Sequence, residues 1–302
     1  MEQTKNNVLP LGQLAAGLLA DDDQSRLSTL ARLEAERTVT SLPDDVVRGL
    51  LACLGHTTKK IQRGAATVLI RFAPRQPEII EALTHRLTDP DPRLRWTAAF
   101  TLSQLDLPSP SPQRVNVSSN QTQLPDTSTL LPVLIENLGH QESDLRWAAA
   151  TAVLQIARHH AQDVAHAMIR LVRTGNAVQR RMALYCLRDL EQTDRNAQAA
   201  YLSSLSDADV MVRLAGLACL GKLHLTGEPI RNAISGLLEH DPDLGVRRSA
   251  AVACRRIGDA HPRIIAALRQ AAESADASLG KAAEAALQRL ELGKYSLPDK
   301  ED

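Results

Sequence analysis

The sequence predicts an all-α chain, a right-handed superhelix (α-solenoid) of about eight stacked two-helix repeats. Three observations carry that expectation. Leu (46) and Ala (43) fill 89 of the 302 positions, whereas Phe, Trp and Tyr together number seven. A sandwich or barrel of this length needs more β-branched and aromatic residues to fill its faces, and a compact α/β core needs more than 15 Gly at its turns. An arginine-anchored segment also recurs, clearest at 91–105, 142–156, 209–223 and 243–257. Finally, a helix-capping residue type stands four positions before most of the anchors.

The anchors are Arg26, Gln62, Arg95, Arg146, Arg180, Arg213, Arg247 and Gly280, and all but one of their spacings lie near 34 residues. Internal repetition at such a period marks a stack of supersecondary units. Before the anchors stand Asp22, Thr58, Asp91, Glu142, Asn176, Asp209, Asp243 and Asp276, most of them able to accept from the free N–H groups of a helix start. Three residues after the anchor the side chain is always small: Thr29, Ala65, Ala98, Ala149, Ala183, Gly216, Ala250 and Ala283. Offsets −1, +3, +7 and +10 share one face of a 3.6-residue helix, so this column lets neighbouring helices approach closely.

In chain order, Val8–Ala20 reads as a first helix, since thirteen residues are too few to span a bilayer and the flanks fit a signal peptide poorly. The second helix of each repeat falls near 23–36, 59–73, 92–106, 143–158, 177–191, 210–224, 244–258 and 277–292. Amphipathic stretches precede them, for example Thr129–Leu138, Val164–Val172, Gln198–Leu205, Pro229–Leu238 and Pro262–Ala272, with Pro229 and Pro262 suited to a first helical turn. One solenoid domain is expected over 8–292. Between Arg95 and Arg146 about 17 extra residues form a Pro- and Ser-rich insertion at 106–126, with four prolines over 108–125. It is expected to lie at the groove mouth, with Val115 or Val117 against Trp96 or Trp147. Residues 293–302 form a tail.

The unit resembles the HEAT repeat, especially the short form of bacterial HEAT-like proteins. The carrying pattern is Asp-x-x-x-Arg-x-x-Ala-Ala, at Asp91, Arg95, Ala98 and Ala99 and again at Asp243, Arg247, Ala250 and Ala251. The residues that mark tetratricopeptide and ankyrin repeats are missing. Gln62 and Gly280 depart from the anchor Arg, which puts an Asp–Arg ladder in question at repeats two and eight. The resemblance implies that the second helices line the concave face.

Offsets +1, +5 and +8 point away from the predicted core. They hold six bases and one acid in 24 positions, and four of the seven aromatics, in a chain with 35 basic and 35 acidic residues. The candidate groove residues are Arg63, Trp96, Phe100, Trp147, Arg181, Tyr185, Arg188, Arg248, Arg255 and Lys281. Such a face suits a protein partner with acidic or mixed acidic and aromatic surface.

Other chemistries find less in the sequence. No Gly-rich phosphate loop or nucleophile elbow is present. HEAT-like deoxyhypusine hydroxylases hold iron with His-Glu pairs, and none of the nine His here is followed by Glu. The cluster His159, His160, Asp163 and His166 straddles a predicted helix corner, where metal binding is not expected, and no metal or cofactor is expected elsewhere. Zero net charge and only seven Lys disfavour nucleic acid, and no membrane association is expected. The leading expectation is therefore a non-enzymatic scaffold or adaptor. The alternatives are a HEAT-like bilin (phycobiliprotein chromophore) lyase or isomerase and, with less support, a DNA-binding or repair protein. Cys53, Cys186, Cys219 and Cys254 show no CxxC spacing and read as buried free thiols of a cytoplasmic protein.

Overall fold

The computed structural model describes residues 11–105 and 127–294. Those residues are helical, with no strand among them. The insertion at 106–126, with its expected contacts from Val115 and Val117, and the tail from 295 onward lie outside the described residues.

The second helices are α2 (Asp23–Ala35), α4 (Lys59–Phe72), α6 (Pro92–Ser103), α9 (Ala177–Asp189), α11 (Val210–Lys222), α13 (Leu244–Ile257) and α15 (Ala277–Lys294). First helices precede them: α1 (Leu11–Leu18), α3 (Asp44–Cys53), α5 (Pro77–Arg86), α7 (Thr127–Asn137), α10 (Arg195–Ser204), α12 (Glu228–His240) and α14 (Pro262–Ala272). One element differs in form from a helix corner. α8 (Ser143–Thr174) runs from the second helix of repeat four into the first helix of repeat five, broken only by a kink at His160 (φ −131°, ψ 45°).

The N-cap column works as its residue types dictate. Asp22 accepts from the Ser25 N–H, Asp91 from Arg93, Asp209 from Met211 and Val212, Asp243 from Val246 and Asp276 from Leu279. Asn176 and Gln179 form a reciprocal capping box. Thr58 departs from the column: its hydroxyl makes no cap and donates instead to Asp23 Oδ2 at 2.7 Å, tying repeat two to repeat one.

The chain divides into two compact units, Met1–His160 and Ala161–Asp302. In the first, α2 packs on α4 and α4 on α6, while α1 packs on α3. In the second, α9, α11, α13 and α15 pack in succession, as do α10, α12 and α14. The small column at anchor+3 lies inside both: Ala65, Ala98, Ala149, Ala183, Ala250 and Ala283 are fully buried. Small side chains there let helix axes approach to the short end of the usual 8–10 Å. At Gly216 an added Cβ would meet the Ser204 hydroxyl, so even alanine is crowded at that point. All four cysteines are free and buried, and burial pushes the thiols of Cys186, Cys219 and Cys254 up to about 12.

Candidate functional site

The anchor arginines do structural work, through two contacts each where the pattern is complete. One arm caps carbonyls of the repeat's own inter-helix turn: Arg95 donates to Asp89 O, Arg146 to His140 O, Arg180 to Gly175 O and Arg213 to Asp207 O. The other arm reaches a side chain in the same turn of the next repeat. In the second unit that acceptor is a carboxylate. Arg180 grips Asp207 through Nε and Nη2, both at 2.7 Å, and Arg213 Nε lies 2.8 Å from Asp241 Oδ2. Burial pushes the Asp207 pKa up, and the Arg180 hydrogen bonds, the Asp209 N–H and the charges of Arg180 and Arg213 together outweigh it, leaving the carboxyl below its ordinary value. In the first unit the acceptor is histidine: Arg26 Nη1 lies 2.9 Å from His56 Nε2, and Arg95 Nη2 lies 2.6 Å from His140 Nε2. Gln62, in the anchor place of repeat two, keeps the first contact, donating to His56 O. The sequence pattern did not show this acceptor column. His56, His140, Asp207 and Asp241 differ in type, and only their common offset, six residues before an anchor, could have revealed it.

The outward columns are open with two exceptions. Ser103 and Gly221, both at offset +8, are buried, Gly221 against Ala253 and Arg256 of the next second helix, so they leave the candidate face. In the first unit, Arg63 is exposed on α4. Trp96 and Phe100 stack on α6 with ring centroids 5.6 Å apart and planes 17° from parallel, each half-buried by the other. Trp147, on α8, is 47% exposed. Between α2 and α4 lies an open cleft of about 460 Å³, lined by Leu27, Leu30, Ala31, Glu34, Lys60, Arg63, Gly64 and Thr67.

In the second unit, Arg188 lies over the Tyr185 ring, 4.8 Å from its centroid, and its Nε donates to Asp189 Oδ1 at 2.7 Å. Arg188 therefore has a compensating acid beside it, where few were expected, and it is held against the helix. Burial pushes the Tyr185 hydroxyl pKa up. Arg248, Arg255 and Lys281 are exposed and Arg181 is half-buried. None of these four has a hydrogen-bond or ion-pair partner among the described residues. α13 carries Arg247, Arg248, Arg255 and Arg256 and no acid, and α9 carries three Arg against one Asp. No three His, Cys, Asp or Glu side chains among the described residues are grouped as a metal site requires. None of the described helices is long and apolar enough to cross a membrane.

This architecture, Arg-anchored helix pairs with a small-residue inner column, defines a HEAT-repeat α-solenoid. Residues 47–113 match the family model described as HEAT repeats. Among curated proteins none matches the chain in sequence. Solved structures show the same fold. A chain of the structure describing Kap95p binding to RanGDP superposes with a TM-score of 0.64 at 15% identity, covering 93% of this chain and 41% of that one. Importin beta in an ammonium sulfate condition gives 0.59 at 13% identity, covering 93% and 41%, and yeast importin-beta (Kap95p) gives 0.58 at 13%, covering 92% and 40%. The chain thus spans about two fifths of the length of these importin-beta chains.

Proposed function

We propose that this chain is a non-enzymatic interaction scaffold or adaptor of the cytoplasm, and that its second-helix face binds a protein partner of acidic or mixed acidic and aromatic surface. The observation that carries the reading is the set of unpartnered cations on the second unit's second helices: Arg181, Arg248, Arg255 and Lys281. The Arg and Asp residues that build the fold satisfy one another in the turns. Among the described residues these four have no hydrogen-bond or ion-pair partner, and unpaired Arg is suited to bidentate capture of carboxylates. A repeat stack also offers an extended recognition surface. The Kap95p–RanGDP structure is an instance of this fold engaging a protein. Four buried free thiols support a reducing compartment.

The test is the double variant Arg248→Glu/Arg255→Glu, with an acidic peptide titrated over a salt series. Exposed substitutions of this kind should move the unfolding midpoint by less than about 0.5 kcal/mol. Affinity should fall by about tenfold or more, and the dependence of binding on salt should flatten. Unchanged affinity and salt dependence in the variant would reduce the stripe to a solvated surface.

A further inference from the structure

The cleft between α2 and α4 opens beside small outward residues. At offset +5, repeats three and five carry Phe100 and Tyr185, and repeats one and two carry Ala31 and Thr67. The half-exposed Leu27, the buried Leu30, Ala31 and Gly64 supply apolar surface, and about 460 Å³ is left open, inside the ~300–1,000 Å³ range of small binding pockets. Gly64 shapes it: a Cβ there would stand 3.2 Å from Leu30 Cδ1 and 3.5 Å from Glu34 Oε1. The rim is unequal in charge. Exposed Lys60 and Arg63 stand on the α4 wall, exposed Glu34 opposes them on α2, and α4 as a whole carries four bases and no acid.

We infer that this cleft is the anchor pocket for one large apolar side chain, aromatic by preference, on an acidic segment of a protein partner, with a carboxylate beside the anchor meeting Lys60 or Arg63. The inference rests on the reading of the second helices as the partner-facing side, and it names what that side grips in the first unit. Binding energy in interfaces concentrates in such buried aromatic anchors, with charged groups at the rim setting orientation.

The experiment uses the full chain and two fluorescein-labelled acidic peptides, one with a single central Trp and one with Ala in its place, followed by fluorescence anisotropy. The Trp peptide is expected to bind about tenfold tighter, the effect of burying one large apolar side chain. Two variants fill the cleft from opposite walls, Thr67→Trp and Ala31→Trp, both at exposed positions, so folding of at least one is expected and is checked by circular dichroism. In either, the advantage of the Trp peptide should vanish while the Ala peptide binds as before. Equal binding of both peptides to the unmodified chain overturns the anchor pocket and leaves the acidic-partner reading standing, as does an advantage that survives in both filled variants. Binding of neither peptide overturns both.

Discussion

At His140 the hydrogen bonding conflicts with the chemistry of the side chain. Its Nδ1 receives the Glu142 N–H at 3.1 Å, and its Nε2 faces the Arg95 guanidinium at 2.6 Å. Both neighbours are donors. A neutral imidazole has one free lone pair, and a protonated one has none, so one contact always sets N–H against N–H. The equivalent Asp207 receives the Asp209 N–H on Oδ1 while holding Arg180 with both oxygens. A carboxylate serves this position better than an imidazole. His140→Asp is therefore expected to stabilise the chain at neutral pH by about 1 kcal/mol, the net worth of one good charge-assisted hydrogen bond. A higher urea midpoint with unchanged slope checks it, and a lower midpoint would show that the imidazole is held by contacts other than these.

In repeats five to seven the helix ends also repeat, eleven residues after the anchor. There the backbone turns left-handed, at Glu191 (φ 52°), His224 (φ 51°) and Gly258 (φ 79°). The turn closes in the manner of a Schellman motif, with Gln192 N–H donating to Leu187 O and Leu225 N–H to Leu220 O. Only the third of these positions has the residue that takes positive φ without a Cβ penalty, which for an L-residue is about 1–2 kcal/mol. Glu191→Gly and His224→Gly should each stabilise by about 0.5–1 kcal/mol, part of the relief being offset by the greater freedom of Gly in the unfolded chain. Thermal melts of the single and double variants would show additive increases, because each residue closes a different repeat. A fall in midpoint at either site would mean that the side chain stabilises the turn more than the backbone strain costs.

Across the whole chain, the kink at His160 replaces a helix corner and coincides with the division into Met1–His160 and Ala161–Asp302. In a repeat array, stability is close to a sum of repeat and nearest-neighbour terms, so a unit with its own stack keeps most of its stabilising interfaces when isolated. The fragment 161–302 retains α9 through α15, the Arg180–Asp207 and Arg213–Asp241 pairs and the buried column from Ala183 to Ala283. It is expected to show the ellipticity of a helical protein and a cooperative thermal transition. A gradual, non-cooperative melt would mean that the second unit depends on the first for its core.

The sequence by itself determined the repeat, the helices and the inner face. Ala98 and Ala250 recur at one offset, Asp91 and Asp243 recur as caps, and helix face and helix start depend on neighbours within about one turn of the same chain. The outward columns were legible for the same reason, down to the exposure of Arg63, Arg248, Arg255 and Lys281. Only the tertiary structure decided what lies opposite each residue in the next repeat. It buried Ser103 and Gly221, held Arg188 to Asp189 over Tyr185, set His56 and His140 against guanidinium groups, and left the cleft between Leu27 and Thr67 unfilled. These outcomes depend on the distance and rotation between stacked helices, which are fixed by how side chains from different repeats interlock and which no local spacing encodes.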